Sequence, residues 1–148
     1  MLEFARARGL EGAVLGDARA LPFRTGAVDH CIAVTSLCFV PEPEQALAEM
    51  WRVARRSVAL GLLNRHSLLY RRKRTSPGYA GARWDTLGRV REWAASLQPP
   101  PTRMRHGHAI RLPGGGPGAR LLERCLPARV PGGGFLGVVL TKPGVPGA

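Results

Sequence analysis

Short apolar runs bounded by chain-breaking residues alternate along this sequence with stretches whose apolar positions recur every three or four residues. Gly12-Ala-Val-Leu-Gly16 is a glycine-bounded apolar run and predicts a buried strand, with Asp17 at its exit. Val28–Leu37 is apolar through its centre without alternation, the pattern of a parallel strand covered on both faces. After Pro41-Glu-Pro-Glu44, the residues Leu47, Met50, Trp51 and Ala54 fall at i, i+3, i+4 and i+7 and predict an amphipathic helix. Glu42 and Glu44 at its start and Arg52, Arg55 and Arg56 at its end both favour the helix dipole. Ser57–Leu63 is a further apolar strand, so strand, helix and strand make a βαβ unit.

Downstream, Leu87, Val90, Ala94 and Leu97 line one side of a second helix, which Pro99-Pro-Pro101 stops. His106–Leu112 predicts a weak strand, Ala119–Leu126 a short helix and Gly134–Thr141 a final strand. Met1–Arg8 reads as the tail of a helix closed by Gly9. The order of elements predicts a single α/β sheet with helices on both faces.

Composition narrows the reading little further. The chain has 148 residues, enough for one domain with a sizeable core. Its net charge of +12 invites a nucleic-acid partner, but the charge is unevenly spread. Residues 1–50 carry 4 Lys/Arg against 7 Asp/Glu, and residues 51–148 carry 18 against 3. Nearly all the basic residues are Arg, in a sequence rich in Ala, Gly and Pro, a bias that GC-rich coding produces without any partner. The three cysteines, Cys31, Cys38 and Cys125, are odd in number and form no CxxC, which argues against a disulfide framework or zinc site and fits a reducing cytoplasm. Met1–Arg8 lacks the pattern of a signal peptide, and the longest apolar run, Val58–Leu63, falls far short of a membrane span. A soluble, cytoplasmic protein is expected.

The segment Gly16-Asp-Ala-Arg-Ala-Leu-Pro-Phe23, followed by Asp29 opening a strand, Phe39-Val-Pro-Glu-Pro43 after it and the helix Ala46-Leu-Ala-Glu-Met-Trp-Arg-Val-Ala-Arg-Arg56, is similar to the type 11 group of class I SAM-dependent methyltransferases. The ubiquinone- and menaquinone-biosynthesis methyltransferases share this layout. The resemblance is dense over residues 16–63 and looser from Leu87 to Lys142. It implies a Rossmann-like α/β sheet and S-adenosylmethionine as cofactor, with a small molecule as methyl acceptor. It also implies residue roles. Asp17 lies where the family's side chain accepts the adenine amino group and Ala18 where a backbone N–H meets the ring. Val34 and Thr35 lie where main-chain atoms line the cofactor. Asn64, His66 and Tyr70, after the fifth strand of that family, are substrate-side candidates. No catalytic base is named, and no metal is expected.

The family's first strand and D-x-G-x-G-x-G loop do not appear before Asp17, where only 16 residues stand. Two strands, a helix and that loop need about 50. The resemblance therefore implies a partial domain over 1–148 whose first two strands are absent, with 16–63 as the best-matched core, 64–86 as a basic connection and 87–143 as the C-terminal elements. The activity of such a chain stays open. Other readings also stay open: a non-catalytic, partner-binding remnant, or a basic nucleic-acid module centred on Arg71–Arg74 with Tyr70, Tyr79, Arg83 and Trp84. The oligomeric state is not legible. Gly114-Gly-Gly116-Pro-Gly118-Ala119 formally fits a dinucleotide loop, but no acidic residue follows at the end of the next strand, so it reads as a flexible loop. His106 and His108 share a strand face without a third ligand nearby and read as a surface pair.

Overall fold

The computed structural model describes Phe4, residues 7–9, 12–110, Pro127 and residues 130–144. Four strands form one sheet: β1 (Val28–Val34), β2 (Ala54–Leu63), β3 (Arg103–Ala109) and β4 (Phe135–Thr141), in the order β1-β2-β4-β3. β1 runs parallel to β2, as the βαβ reading requires, while β4 is antiparallel to both β2 and β3. Between the strands lie α1 (Pro43–Val53), α2 (Leu68–Lys73) and α3 (Leu87–Ala95), with 3-10 turns at Leu37–Phe39 and Pro77–Tyr79.

Each helix starts where its sequence says it should. Pro43 occupies the first turn of α1, where its missing N–H costs nothing, and Glu44 and Arg52 sit at the favourable ends of the dipole. Ser67 and Thr86 cap α2 and α3 by accepting from the backbone N–H of Tyr70 and Arg89. The predicted Ser57–Leu63 strand begins three residues earlier, directly at the end of α1.

The core lies on one face of the sheet. Residues that pair across strands point to the same face, so Val58, Leu60 and Leu62 of β2 align with Leu140, Val138 and Leu136 of β4. All six are buried, and they pack with Leu47, Met50 and Trp51 of α1 and Val90, Trp93 and Ala94 of α3. The indole of Trp51 also donates to the Pro99 carbonyl at 2.9 Å. The expectation of helices on both faces is corrected here: among the described residues, both long helices cover this single face. On the opposite face Ile32 and Val34 of β1 are 70% and 56% exposed, and Val139 of β4 is exposed too. The uniformly apolar centre of residues 28–37 is therefore buried on one side only.

A second correction concerns Gly12–Gly16. It forms no strand, and Leu15 is 79% exposed. A strand exists through its hydrogen-bonded neighbour, and among the described residues no strand pairs with this segment. The segment continues into a turn at Asp17–Ala20. The basic connection after β2 is likewise not an open loop but α2 followed by a 3-10 turn. The weak strand expected at 106–112 is found at Arg103–Ala109. The helices expected at 1–8 and 119–126 and the glycine-rich loop at 111–119 lie wholly or largely outside the described residues.

The one-sided core makes a testable contrast. Leu140→Ala, which empties a fully buried site, should cost about 2–5 kcal/mol in urea unfolding. Ile32→Ala on the open face should cost about 0.5 kcal/mol. Equal losses would show that the open face is covered in solution.

Candidate functional site

Parallel strands of an α/β sheet present their ligand sites beyond their carboxyl ends. Here those ends belong to β1 and β2. β1 exits at Val34, and the N–H of Thr35 still donates to the Gly61 carbonyl at 2.8 Å, which extends the parallel pairing by one residue. Thr35 then turns with φ at 50°, a left-handed backbone that costs a β-branched residue about 1–3 kcal/mol. Its hydroxyl donates to the Val34 carbonyl, and the Cys38 thiol donates back to the Thr35 carbonyl at 3.1 Å. These local bonds hold the Leu37–Phe39 turn against the sheet edge.

β2 exits into a knot around Asn64. The buried Asn64 amide donates to the Gly133 carbonyl at 2.7 Å and lies 3.4 Å from His108 Nδ1, while its side-chain oxygen accepts from the His66 N–H. Its backbone N–H donates to the Gly134 carbonyl. Asn64 thus ties the exit of β2 to the loop entering β4. Close approach explains the glycines: a side chain at Gly134 would meet Leu69 and the Ile110 carbonyl, and the Phe135 ring lies where a Cβ at Gly61 would sit.

Arg83 joins the two exits. Its guanidinium donates to the Leu37 and Val40 carbonyls at 2.8 Å each and to Asp85 Oδ1 at 2.9 Å. Asp85 is fully buried; its N–H donates to Leu63 and its carbonyl accepts from Arg65. One group of Arg83 therefore anchors the turn after β1 to the strand end of β2. Among the described residues Asp85 Oδ2 and the Trp84 indole N–H are buried without a hydrogen-bond partner.

These elements enclose a cavity of about 350 Å3, with Thr35, Cys38 and Phe39 on the β1 side and Leu63, Leu69 and Tyr79 on the β2 side. Ile110, with φ at 60°, and Phe135 complete the wall. Two β-branched residues in left-handed backbone therefore face one cavity, which is where stored strain tends to collect. Burial pushes the Cys38 thiol above its usual range, so it stays protonated and is no nucleophile at neutral pH. Among the described residues no group of His, Cys, Asp and Glu is arranged to hold a metal.

Of the residues expected at the cofactor, Thr35 lines this cavity and Val34 precedes it. Asp17 and Ala18 do not line it. Asp17 is exposed and chelated by Arg19, whose Nε and Nη2 both reach the carboxylate and whose Nη1 reaches Glu42. Glu42 precedes α1, which starts from the carboxyl end of β1, so the Asp17 turn sits at the same end of the sheet as Thr35. Further along the segment, Arg52, in the last turn of α1, donates to the Leu21 and Phe23 carbonyls, while Glu49 accepts from the Leu21 N–H. The hydrogen bonds from Arg19 pull the Asp17 pKa down to about 2.

Of the substrate-side candidates, Asn64 is consumed by its structural bonds, His66 is exposed, and Tyr70 packs edge-on against Trp84 with centroids 5.2 Å apart. Tyr79 also leans on Trp84, and Arg83 points inward. Of the aromatics interleaved with the basic run, Trp84 is thus core, and Tyr70 and Tyr79 are partly buried against it. Sequence reasoning missed Phe39, Leu69, Ile110 and the Arg83–Asp85 pair as site builders. The one available signal was a single aspartate, Asp85, two residues from an arginine in a stretch otherwise free of acids.

A family model described as a methyltransferase domain matches residues 1–60. No curated protein matches the sequence. Among solved structures, a SAM-dependent methyltransferase from Thermotoga maritima, described as a possible histamine N-methyltransferase, superposes with a TM-score of 0.74 at 26% identity, covering 96% of this chain and 69% of that one. A SAM-dependent methyltransferase from Archaeoglobus fulgidus gives 0.63 at 10% identity, covering 95% and 80%. A putative Haloferax volcanii methyltransferase in complex with the Trm112 activator gives 0.60 at 15% identity, covering 100% and 69%.

Losing the Arg83 clamp should leave the Asp85 carboxylate buried and uncompensated. Arg83→Ala is expected to cost about 3–5 kcal/mol in chemical unfolding. Arg83→Lys should recover less than half of that, because an ammonium lacks the planar fork that meets three acceptors. Full recovery by lysine would reduce the clamp to simple charge neutralisation.

Proposed function

We infer that this chain, which has the fold of SAM-dependent methyltransferases and matches their domain model over its first 60 residues, transfers a methyl group from S-adenosylmethionine to a small molecule. The observation that carries the reading is the coincidence of the strained Thr35 exit, the cavity beside it and the exposed Asp17 carboxylate at one end of the sheet. The donor set suits the cofactor. A carboxylate ionised at all physiological pH can accept from the adenine amino group, in exchange for one of the four hydrogen bonds that Arg19 makes to it. The backbone of Ala18 would meet the purine ring, and the main chain of Val34 and Thr35 would line the sugar-to-sulfonium side.

S-adenosylmethionine supplies an activated methyl on a positively charged sulfur. The chain's own part is to bind and orient: the Thr35–Phe39 turn, held by Arg83, fixes the floor against which donor and acceptor align, and the apolar wall excludes water. Catalysis by such a site rests on proximity and in-line geometry. His66 and Tyr70, which follow β2 without lining the cavity, would act on the acceptor side, Tyr70 through its packing on Trp84, and Asn64 positions the β2 exit.

Calorimetry with S-adenosylmethionine tests this directly, with a dissociation constant below about 1 mM expected. Asp17→Ala should weaken binding roughly tenfold, since hydrogen bonds to charged groups carry the larger share. The Asp17 pKa is depressed, so its contribution is present above the ordinary carboxylate range and lost only as pH falls through about 2. Between pH 5 and 8 the Asp17-dependent share of affinity should therefore be flat. An affinity that collapses between pH 5 and 4 would assign the adenine contact to another group.

A further inference from the structure

We propose that the cavity at the carboxyl ends of β1 and β2 takes an uncharged, flat molecule of one or two fused rings as the methyl acceptor, gripped by apolar contact and oriented by the Tyr79 hydroxyl. This deepens the methyl-transfer reading and rests on it. Three observations carry the proposal.

The first is charge. None of the ten described residues that line the cavity bears a formal charge, although the chain carries +12 overall. Arg83, whose neighbours Leu37 and Val40 flank the lining, is turned into the protein toward Asp85 and the carbonyls of Leu37 and Val40. An ionic ligand would leave water without meeting a counter-charge, at a cost that a neutral one avoids. The second is shape. Phe39, Tyr79 and Phe135 supply aromatic walls from three separate segments, and Leu63, Leu69 and Ile110 fill the spaces between them. Rings lined in this way hold another ring by offset or edge contact. The volume, about 350 Å3, lies at the low end for small-molecule sites and suits one or two rings.

The third is the polar inventory. The Thr35 hydroxyl is committed to the Val34 carbonyl and the Cys38 thiol to the Thr35 carbonyl. Tyr79 contributes a hydroxyl on a ring steadied by Trp84, 5.3 Å between centroids. One directional group on an otherwise apolar wall fixes orientation, as small-molecule sites generally require. In the transfer, the acceptor's lone pair forms the bond to the methyl carbon as the carbon–sulfur bond breaks. The bonding pair returns to sulfur, and the acceptor's proton leaves to solvent.

Indole is the probe, followed by amide NMR on the full chain, with indole-3-carboxylate as its charged counterpart. Saturable shifts are expected at Thr35, Cys38, Gly78 and Gly134, with the carboxylate binding at least about tenfold more weakly. Gly78 lines the cavity and an added Cβ there meets no atom within 4 Å, so Gly78→Phe can occupy the space without moving the backbone. It should abolish the shifts while leaving the rest of the spectrum intact. If that variant loses its fold, Phe39→Glu, at an exposed wall position, should give the same loss by adding a charge. Tyr79→Phe should retain binding but weaken it several-fold. Equal binding of the carboxylate, or shifts at Ile32 and Val139 with none at the cavity, would overturn the proposal. Indole binding without S-adenosylmethionine binding in the parallel calorimetry would remove the acceptor role and the methyl-transfer reading together. Cofactor binding without indole binding would overturn this proposal alone.

Discussion

Everything in this molecule hangs on β2, which is hydrogen-bonded along both edges, as is β4, and which joins the parallel pair to the antiparallel one. Its parallel partner β1 and its antiparallel partner β4 cannot meet except through it. Its side chains Val58, Leu60 and Leu62 form the middle of the core on one face, with two helices laid across them. A strand held in this way has one permitted register, because a slip by one residue would send those three side chains to the exposed face. The exit at Leu63 is fixed by the same register, and with it the Asn64 knot, the Arg83–Asp85 link and the position of the cavity.

That rigidity is one-sided. β1 has β2 as its neighbour among the described residues, and its Ile32 and Val34 face solvent. A parallel strand is normally covered on both faces, so this half of the sheet is the part of the molecule furthest from the usual architecture. The cavity nevertheless does not depend on the open face. Its floor is held from the core side by the guanidinium of Arg83, and its far wall by glycines close enough to touch Leu69 and the β3 exit.

The site also separates two kinds of polar work. Asp17 and Arg19 form an exposed pair at the surface, where solvent screens their attraction. Asp85 and Arg83 form an inward pair whose purpose is positional, joining a turn to a strand end. The first pair is the one the proposed cofactor contact would draw on; the second holds a geometry.

The sequence by itself determined the βαβ unit, the helices over 43–53 and 87–95 and the strand at 135–141, because period and end signals are local properties of the chain. It also singled out Thr35 at the β1 exit and Asp17 in the turn before it, through the motif that carries them. It did not determine Gly12–Gly16, whose apolar run reads as a strand wherever it has a neighbour and is none without one. Nor did it reveal that the centre of 28–37 is buried on one face only, since apolar composition does not say how many layers surround a strand. The cavity wall was beyond it altogether. Phe39, Leu69, Tyr79, Ile110 and Phe135 come from five separate segments, and only tertiary folding brings them together. Arg83, one basic residue among many along the chain, acquires its role when the folded backbone presents two carbonyls and a buried carboxylate to the same guanidinium.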